Sequence, residues 1–313
     1  MHFFYFRKGA YVTLAGLLVL TLVSPSSVYS CACGCNVFDV GTRSMYPTHE
    51  GEMVSLEYDY QNQDKNWSGN SSASGDNNSD KKILTQYFTL GYQRMINRKW
   101  GFSGDLPVQD RFFTTADEDT GDISENTHAA IGDIRIKGIY SGFSDDMATG
   151  LTFGLKLPTG DYTYPNFDPD TQIGTGSTDL LLGAYHLGLI PIVSNTGWFT
   201  DAQLDQPVLN AGGYRPGSQV DGTAGVYYDL GMFGKVKIAP MAQVIGSHRW
   251  SDSGTLSDSP NTGYSRILLA PGIEFDVAKV SIYGDVGFPV YQYVDGNQLV
   301  ASELYKINVS YHF

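Results

Sequence analysis

Beyond residue 30 the chain has no apolar run long enough to cross a bilayer as a helix, which takes about 20 residues. Charge is also scarce. Asp, Glu, Lys and Arg make up 17% of the residues, against about 25% in ordinary soluble domains. The charge that is present leans one way, with 33 acids, 20 bases and a formal net charge of −13. With no basic patch, that balance excludes nucleic acid as a partner. Cysteine is nearly missing. Cys31, Cys33 and Cys35 are the only three, so no disulfide framework can staple the fold. Catalytic signatures are missing too: no Gly-x-Ser-x-Gly elbow, no His-Glu-x-x-His pair and no Cys-x-x-Cys-His haem site. No spacing joins Asp122, His128 and His248 into a hydrolytic site. The expectation is a protein that is not an enzyme.

The missing helical span does not make the chain soluble. In a membrane β-strand, lipid-facing and lumen-facing residues alternate and cancel in any window average. The abundant residues suit such strands and their turns: 36 Gly, 21 Tyr and 16 Phe.

At the N-terminus, Arg7 and Lys8 precede an apolar stretch from Tyr11 to Val23, which Pro25 ends. Val28-Tyr29-Ser30 puts small or aliphatic residues at the −3 and −1 positions. This layout predicts a secretory signal peptide over residues 1–30, cleaved near Ser30/Cys31. Two alternatives stand beside it. A single spanning anchor would need a longer run. Lipidation of Cys31 would need a smaller residue than Tyr29 before it. Without Arg7 and Lys8, the exported chain keeps 18 bases and 33 acids.

Period-two patterns bounded by turn residues then recur to the C-terminus. The last is the cleanest. Tyr305, Ile307, Val309, Tyr311 and Phe313 form one face, and Lys306, Asn308, Ser310 and His312 the other. It resembles the terminal strand signal that the bacterial barrel-assembly machinery recognises. A soluble edge strand of this kind would invite aggregation. Eleven further strands are predicted at 53–60, 83–96, 100–110, 130–140, 148–157, 177–186, 198–204, 219–229, 236–246, 265–275 and 280–291. The weakest are 198–204 and 100–110, where Pro107 interrupts the run.

The connections alternate in length. Those at 61–82, 111–129, 158–176, 205–217, 247–264 and 292–302 are long and polar. Those at 97–99, 141–147, 230–235 and 276–279 are short, and only 187–197 breaks the pattern. Short turns at one rim and long loops at the other are what an outer-membrane barrel requires. The acids collect in the long loops. Pairs such as Asp117/Asp119 and Asp168/Asp170 lack a full calcium-loop pattern and read as solvated. The fold expected is all-β, a 12-stranded antiparallel transmembrane β-barrel of the outer-membrane type. Its parts are the signal peptide 1–30, a Cys-rich N-terminal periplasmic segment 31–52, and the barrel 53–313.

Five phrases go beyond generic strands: Gly132-Asp-Ile-Arg-Ile-Lys-Gly-Ile-Tyr140, Gly154-Leu-Lys-Leu-Pro-Thr-Gly160, Gly174-Thr-Gly-Ser-Thr-Asp179, Leu269-Ala-Pro-Gly-Ile273 and Gly287-Phe-Pro-Val-Tyr-Gln292. Together, from about Leu84 to Phe313, the chain resembles the outer-membrane barrel family named for the MetA pathway of phenol degradation, whose members are described as transporter-like. The resemblance implies a multi-pass barrel in the bacterial outer membrane and, loosely, uptake of aromatic compounds. Read without it, Pro158 and Gly160 are turn chemistry at a rim, with Gly160 supplying a positive φ.

If the apolar faces meet lipid, the lumen is lined by Glu57, Asp59, Asp133, Arg135, Lys137, Lys156, Asp179 and Lys306. Such residues either neutralise one another in a filled barrel or line a polar channel that selects small solutes. Cys31-Ala-Cys33-Gly-Cys35 offers two or three thiolates to a soft metal ion, a Cys31–Cys35 disulfide, or a lipid on Cys31. The expected partners are outer-membrane lipid, the assembly machinery and a small-molecule solute. Two functions follow: a channel for small molecules, aromatic or hydrophobic ones among them, or a non-transporting barrel whose cysteine segment binds metal or a periplasmic partner.

Overall fold

A computed structural model of the chain describes residues 31–32, 45–117 and 120–313. The expected signal peptide, Cys33 and Cys35 lie outside the described residues. Alternating side chains set the wall. Its strands are β1 Gly51–Gly69, β2 Asp80–Met95, β3 Trp100–Ala116, β4 Ile123–Ile131, β5 Arg135–Tyr140, β6 Thr149–Lys156, β7 Ser177–Leu189, β8 Thr196–Asn210, β9 Gln219–Tyr228, β10 Val236–Arg249, β11 Tyr264–Val277 and β12 Val280–His312. Each pairs antiparallel with its chain neighbour, except that β4 and β5 both pair with β3 and β6 follows β5. β12 pairs with β11 through Val280–Val294, and its later residues pair with β1 from Ser68 down to Met53. That last ladder closes the sheet into a barrel and leaves no open edge.

Eleven long strands close the ring where twelve are expected. The difference lies in β12, which runs through 33 residues and joins the two strands expected at 280–291 and 305–313; β4 and β5 lie end to end beside β3 and count once.

Burial is inverted relative to a soluble protein. Leu56, Leu90, Phe153, Leu269, Ile307 and Val309 are exposed, whereas Ser55, Glu57, Asp59, Gln61, Asn308 and Ser310 are buried. A monomeric soluble protein does not expose such a continuous apolar band. Aromatic pairs mark the rim where Gly51 and Phe313 lie, such as Trp100 with Tyr140 at 4.7 Å and Tyr311 with Phe313 at 4.9 Å. Membrane barrels place aromatic girdles at that level.

The strands run further than the sequence pattern suggests. β1 has 19 residues, whereas about 9–11 cross an outer membrane. Much of 61–82, 111–129 and 205–217, a smaller part of 247–264 and all of 292–302 is therefore strand and not loop. Past the membrane both faces of a strand meet water, so the apolar period vanishes while the backbone ladder continues. The long turn expected at 187–197 shrinks to 190–195, which restores the alternation of short and long connections. Pro107 is tolerated in β3 because it lies opposite the break between β4 and β5. Its carbonyl accepts the Gly132 N–H at 2.8 Å, and its missing N–H would have faced the same gap.

Parts of the N-terminal segment expected at 31–52 pack on or within the barrel. Gly51 and Glu52 already belong to β1. Tyr46 is buried in the lumen against Tyr185 and Phe199. The backbone of Cys31–Ala32 pairs in parallel with Gln298–Leu299, at the opposite rim from Gly51. Gly160 also differs from expectation. Its φ is not positive. It is needed instead because its backbone touches Gly174 where the 157–176 loop closes on itself, and a Cβ there would lie 2.6 Å from the Gly174 Cα.

Candidate channel lumen

Three layers fill the barrel. The first lies beside the rim that carries Gly51, Phe313 and the short turns. Here Tyr46, Met95, Ile139, Met147, Tyr185, Phe199, Met241 and Tyr283 form one apolar cluster. Inward strand positions near this rim supply most of it, the turn between β5 and β6 supplies Met147, and the chain preceding β1 supplies Tyr46. Tyr46 stacks on Tyr185 at 5.2 Å and 29°, and its ring lies 6.3 Å from Phe199. Burial and the nearby Asp201 carboxylate push the Tyr46 hydroxyl well above the usual phenol range, so it stays protonated.

Above this floor the wall becomes polar. Lys306 on β12 lies 3.1 Å from Glu57 Oε1 and 3.8 Å from Asp59 Oδ1, both on β1. Lys156 on β6 makes a short contact with Asp179 on β7 and lies 3.7 Å from Asp205 on β8. Lys137 reaches Asp105 at 3.8 Å and donates to Gln203 Oε1 at 3.2 Å. Gln243 Nε2 donates to the Tyr283 hydroxyl and to Asp285 Oδ2, both at 2.9 Å. Of these groups, Glu57, Asp59, Asp105, Lys137, Lys156 and Gln203 line a cavity of 190 Å³. A second cavity of 610 Å³ opens towards the near rim. Tyr46, Pro47, Met53 and Gln93 line both, so they form the partition between the two.

The third layer is the 157–176 loop, which folds into the barrel instead of into solvent. Arg111 on β3 is 1% exposed. Its Nη1 donates to the Thr171 carbonyl and, at 3.1 Å, to the Gln172 carbonyl. Its Nε donates to Thr85 Oγ1 at 3.0 Å. Asp133, in the break between β4 and β5, holds the neck of the loop. Oδ1 accepts the Gly160 N–H at 2.9 Å, and Oδ2 accepts the Thr175 N–H at 2.8 Å and its hydroxyl at 2.6 Å. Gln172 ties the tip together by donating to the Tyr164 and Phe167 carbonyls at 2.9 and 2.7 Å. On the outer side, His128 stacks on Tyr164 at 4.0 Å and meets Asp161 Oδ2 at 2.9 Å. Phe167 then packs edge-on to Phe113 at 5.6 Å, over Ile83 and Leu299.

The structure thus gathers Glu57, Asp59 and Lys306 into one cluster and Lys156 and Asp179 into another. Arg135 and Lys137 line the same cavity. Asp133 borders that cavity too, with its carboxylate turned to the loop neck. Sequence reasoning missed Asp105 and Asp201, which occupy inward positions of the two weakest strands, and Asp205, one residue past the expected end of its strand. It also missed Arg111, which falls in a presumed loop, and Tyr46, which precedes every strand. Inward parity within β3 and β8 was the available signal for the first three. The same parity, carried one residue past the expected strand, reaches Arg111; for Tyr46 there was none. Of the polar groups weighed for a rim hydrolase, His128 bonds Asp161 in the loop, while His248 Nδ1 meets Ser265 Oγ at 2.8 Å on the outer wall. Tyr305, Ile307, Tyr311 and Phe313 all point outward and are exposed.

No protein-family model and no curated protein matches the sequence, the phenol-degradation barrel family included. Solved structures do match. The COG4313 outer membrane channel from Pseudomonas putida F1 superposes with a TM-score of 0.65 at 11% identity, over 88% of this chain and 100% of that one. The β domain of the Bordetella autotransporter BrkA follows at 0.49 and 9%, over 84% and 100%. The CymD monoaromatic hydrocarbon channel gives 0.43 and 10%, over 91% and 98%. The first of these likenesses shows the fold, that of an outer-membrane β-barrel.

Proposed function

We propose that the chain is an outer-membrane channel that passes small molecules through its lumen, aromatic or hydrophobic ones among them. One observation carries the reading. The wall is apolar outside and polar inside, and it encloses a cavity on a closed barrel. Burying this many polar groups is costly unless they meet water, a solute or one another. The aromatic floor around Tyr46, Tyr185 and Phe199 beside a hydrogen-bonding wall suits solutes with both an apolar body and a polar handle. The family resemblance points to the same class.

On this reading β12 doubles back at Asp295–Gly296, where Gly296 has φ 63, and makes two crossings. The barrel then has twelve, and both ends of the wall lie on one side. The rim of short turns is periplasmic and the inward loop guards the outside. Export by a cleaved signal peptide, bilayer lipid around the apolar band, and recognition of Tyr305, Ile307, Val309, Tyr311 and Phe313 by the assembly machinery complete the picture.

Planar-bilayer recording of the refolded protein tests the proposal. Discrete current steps are expected, and a silent membrane with correctly folded barrel overturns it. A second reading rests on Tyr46, which blocks the lumen from the N-terminal segment. There the barrel does not transport, and Cys31, Cys33 and Cys35 bind a soft metal ion. Metal bound per chain then falls when all three become Ser.

A further inference from the structure

Building on the channel reading, we propose that the lumen is a cation-preferring filter: it passes cationic and neutral small solutes and holds back anions. The grounds are geometric. Each of two wall lysines is outnumbered. Lys306 sits between Glu57 and Asp59, and Lys156 between Asp179 and Asp205. Each cluster pairs one cation with two carboxylates, so each keeps a net negative charge when all its groups are ionised. Lys137 and Asp105 balance. Asp201 lines the cavity with no ion pair among the described residues. Asp285 is held by the neutral Gln243 and Tyr283. Arg135 and Arg266 offset part of this excess, but Asp221 and Glu274 match them in number. Residues 33–44 carry one acid, Asp39, and one base, Arg43, so they leave the balance unchanged.

Vacant acceptors point the same way. Asp179 Oδ1 and Asp205 Oδ1 are buried with no hydrogen-bond donor among the described residues, on side chains 1% and 5% exposed. A buried carboxylate oxygen without a donor is unfavourable, and water or a passing cation relieves it. An anion arriving at the same place meets excess negative charge. A narrow lumen with low-dielectric walls focuses that field along the path of the solute.

The experiment is the reversal potential of the refolded full-length barrel in a KCl gradient. K⁺ is expected to permeate severalfold better than Cl⁻. The preference is expected to shrink from 0.1 M to 1 M mean salt, because the screening length falls from about 10 Å to about 3 Å. Asp59→Asn together with Asp205→Asn makes each cluster one-to-one and is expected to bring the ratio towards unity. A conducting barrel that prefers Cl⁻ or shows no preference overturns the inference and leaves the channel reading standing. So does a double variant that folds, as judged by heat-modifiable gel mobility, and keeps the full wild-type preference. A folded barrel that never conducts overturns both. If the double variant does not fold, the wild-type ratio and its salt dependence decide alone.

Discussion

Arg111 and Gln172 are 61 residues apart in sequence, yet the Arg111 guanidinium donates to the Gln172 carbonyl at 3.1 Å inside the barrel. A wall strand thereby grips the tip of a loop that would otherwise lie in solvent. The neighbouring bond to the Thr171 carbonyl makes the grip two-pronged. Charged donors to carbonyls are the stronger kind of hydrogen bond.

Loosening that grip should widen the lumen. Arg111→Met removes the donors and strands two carbonyls, each at a cost of about 1–3 kcal/mol. The loop is expected to leave the lumen, raising single-channel conductance and open-channel noise. Asp133→Asn is expected to do the same more weakly, because it keeps an acceptor for Gly160 or Thr175. Conductance identical to wild type in both variants would mean that the loop does not constrict the path.

The floor should respond to a single side chain. Tyr46→Ala deletes the ring stacked on Tyr185 and part of the partition between the two cavities. An aromatic pair contributes about 0.5–1.5 kcal/mol beyond its buried area, too little to unfold a closed barrel. The expected result is higher conductance with unchanged gel mobility. Tyr185→Phe, which keeps the stack, is expected to behave like wild type.

The outer face should tolerate apolar exchange and reject charge. Leu90 is exposed near the middle of β2. If lipid covers it, Leu90→Arg destabilises the barrel by roughly 2–4 kcal/mol in vesicles. Denaturant titration in lipid measures this. A neutral or stabilising effect would argue that water covers that face.

Acid should loosen the outer loop. Asp161 accepts the Thr163 N–H at 3.0 Å and meets His128 at 2.9 Å. First the Thr163 amide and then His128 hold its carboxyl below the usual carboxylate range. A value lowered in the folded state means stabilisation that is present above the ordinary carboxylate range and lost as pH falls through the lowered value. Amide exchange at Thr163 is therefore expected to accelerate below about pH 4 and to stay flat on this account near neutrality. Asp161→Asn should abolish the acid dependence. The same acceleration persisting in that variant would assign it to another group.

The C-terminal strand carries its own expectation. The Phe313 N–H donates to the Glu52 carbonyl at 2.9 Å, and its ring is exposed beside Tyr311. The ring is thus free of the core. Deleting Phe313 should reduce the amount of folded barrel in the membrane while leaving refolding into detergent intact. Equal loss in both settings would make its role one of stability.

Much of this wall is legible in the sequence alone. The alternation at Val54–Tyr60 and Tyr305–Phe313 assigns each side chain to lipid or lumen, because a strand has a strict two-residue period. Glu57, Asp59 and Lys306 follow from parity alone. The rim of short turns follows from loop lengths, because hairpins on one side of a membrane need no extra residues. The boundaries did not follow. Past the bilayer the strands at 61–69 and 123–131 lose their apolar face and look like loops.

Inside and outside and the rim of short turns are therefore local consequences of residue order, set by backbone periodicity and loop length, whereas closure joins Met53–Ser68 to Asn297–His312 from opposite ends of the wall. What fills the barrel is not local either. Tyr46 finds Tyr185, Arg111 finds Gln172, and Lys156 finds both Asp179 and Asp205 only when the sheet has closed and distant strands face one another. Those contacts depend on distances across the lumen, which no spacing along the chain encodes, and they decide how wide the path is and what charge it presents.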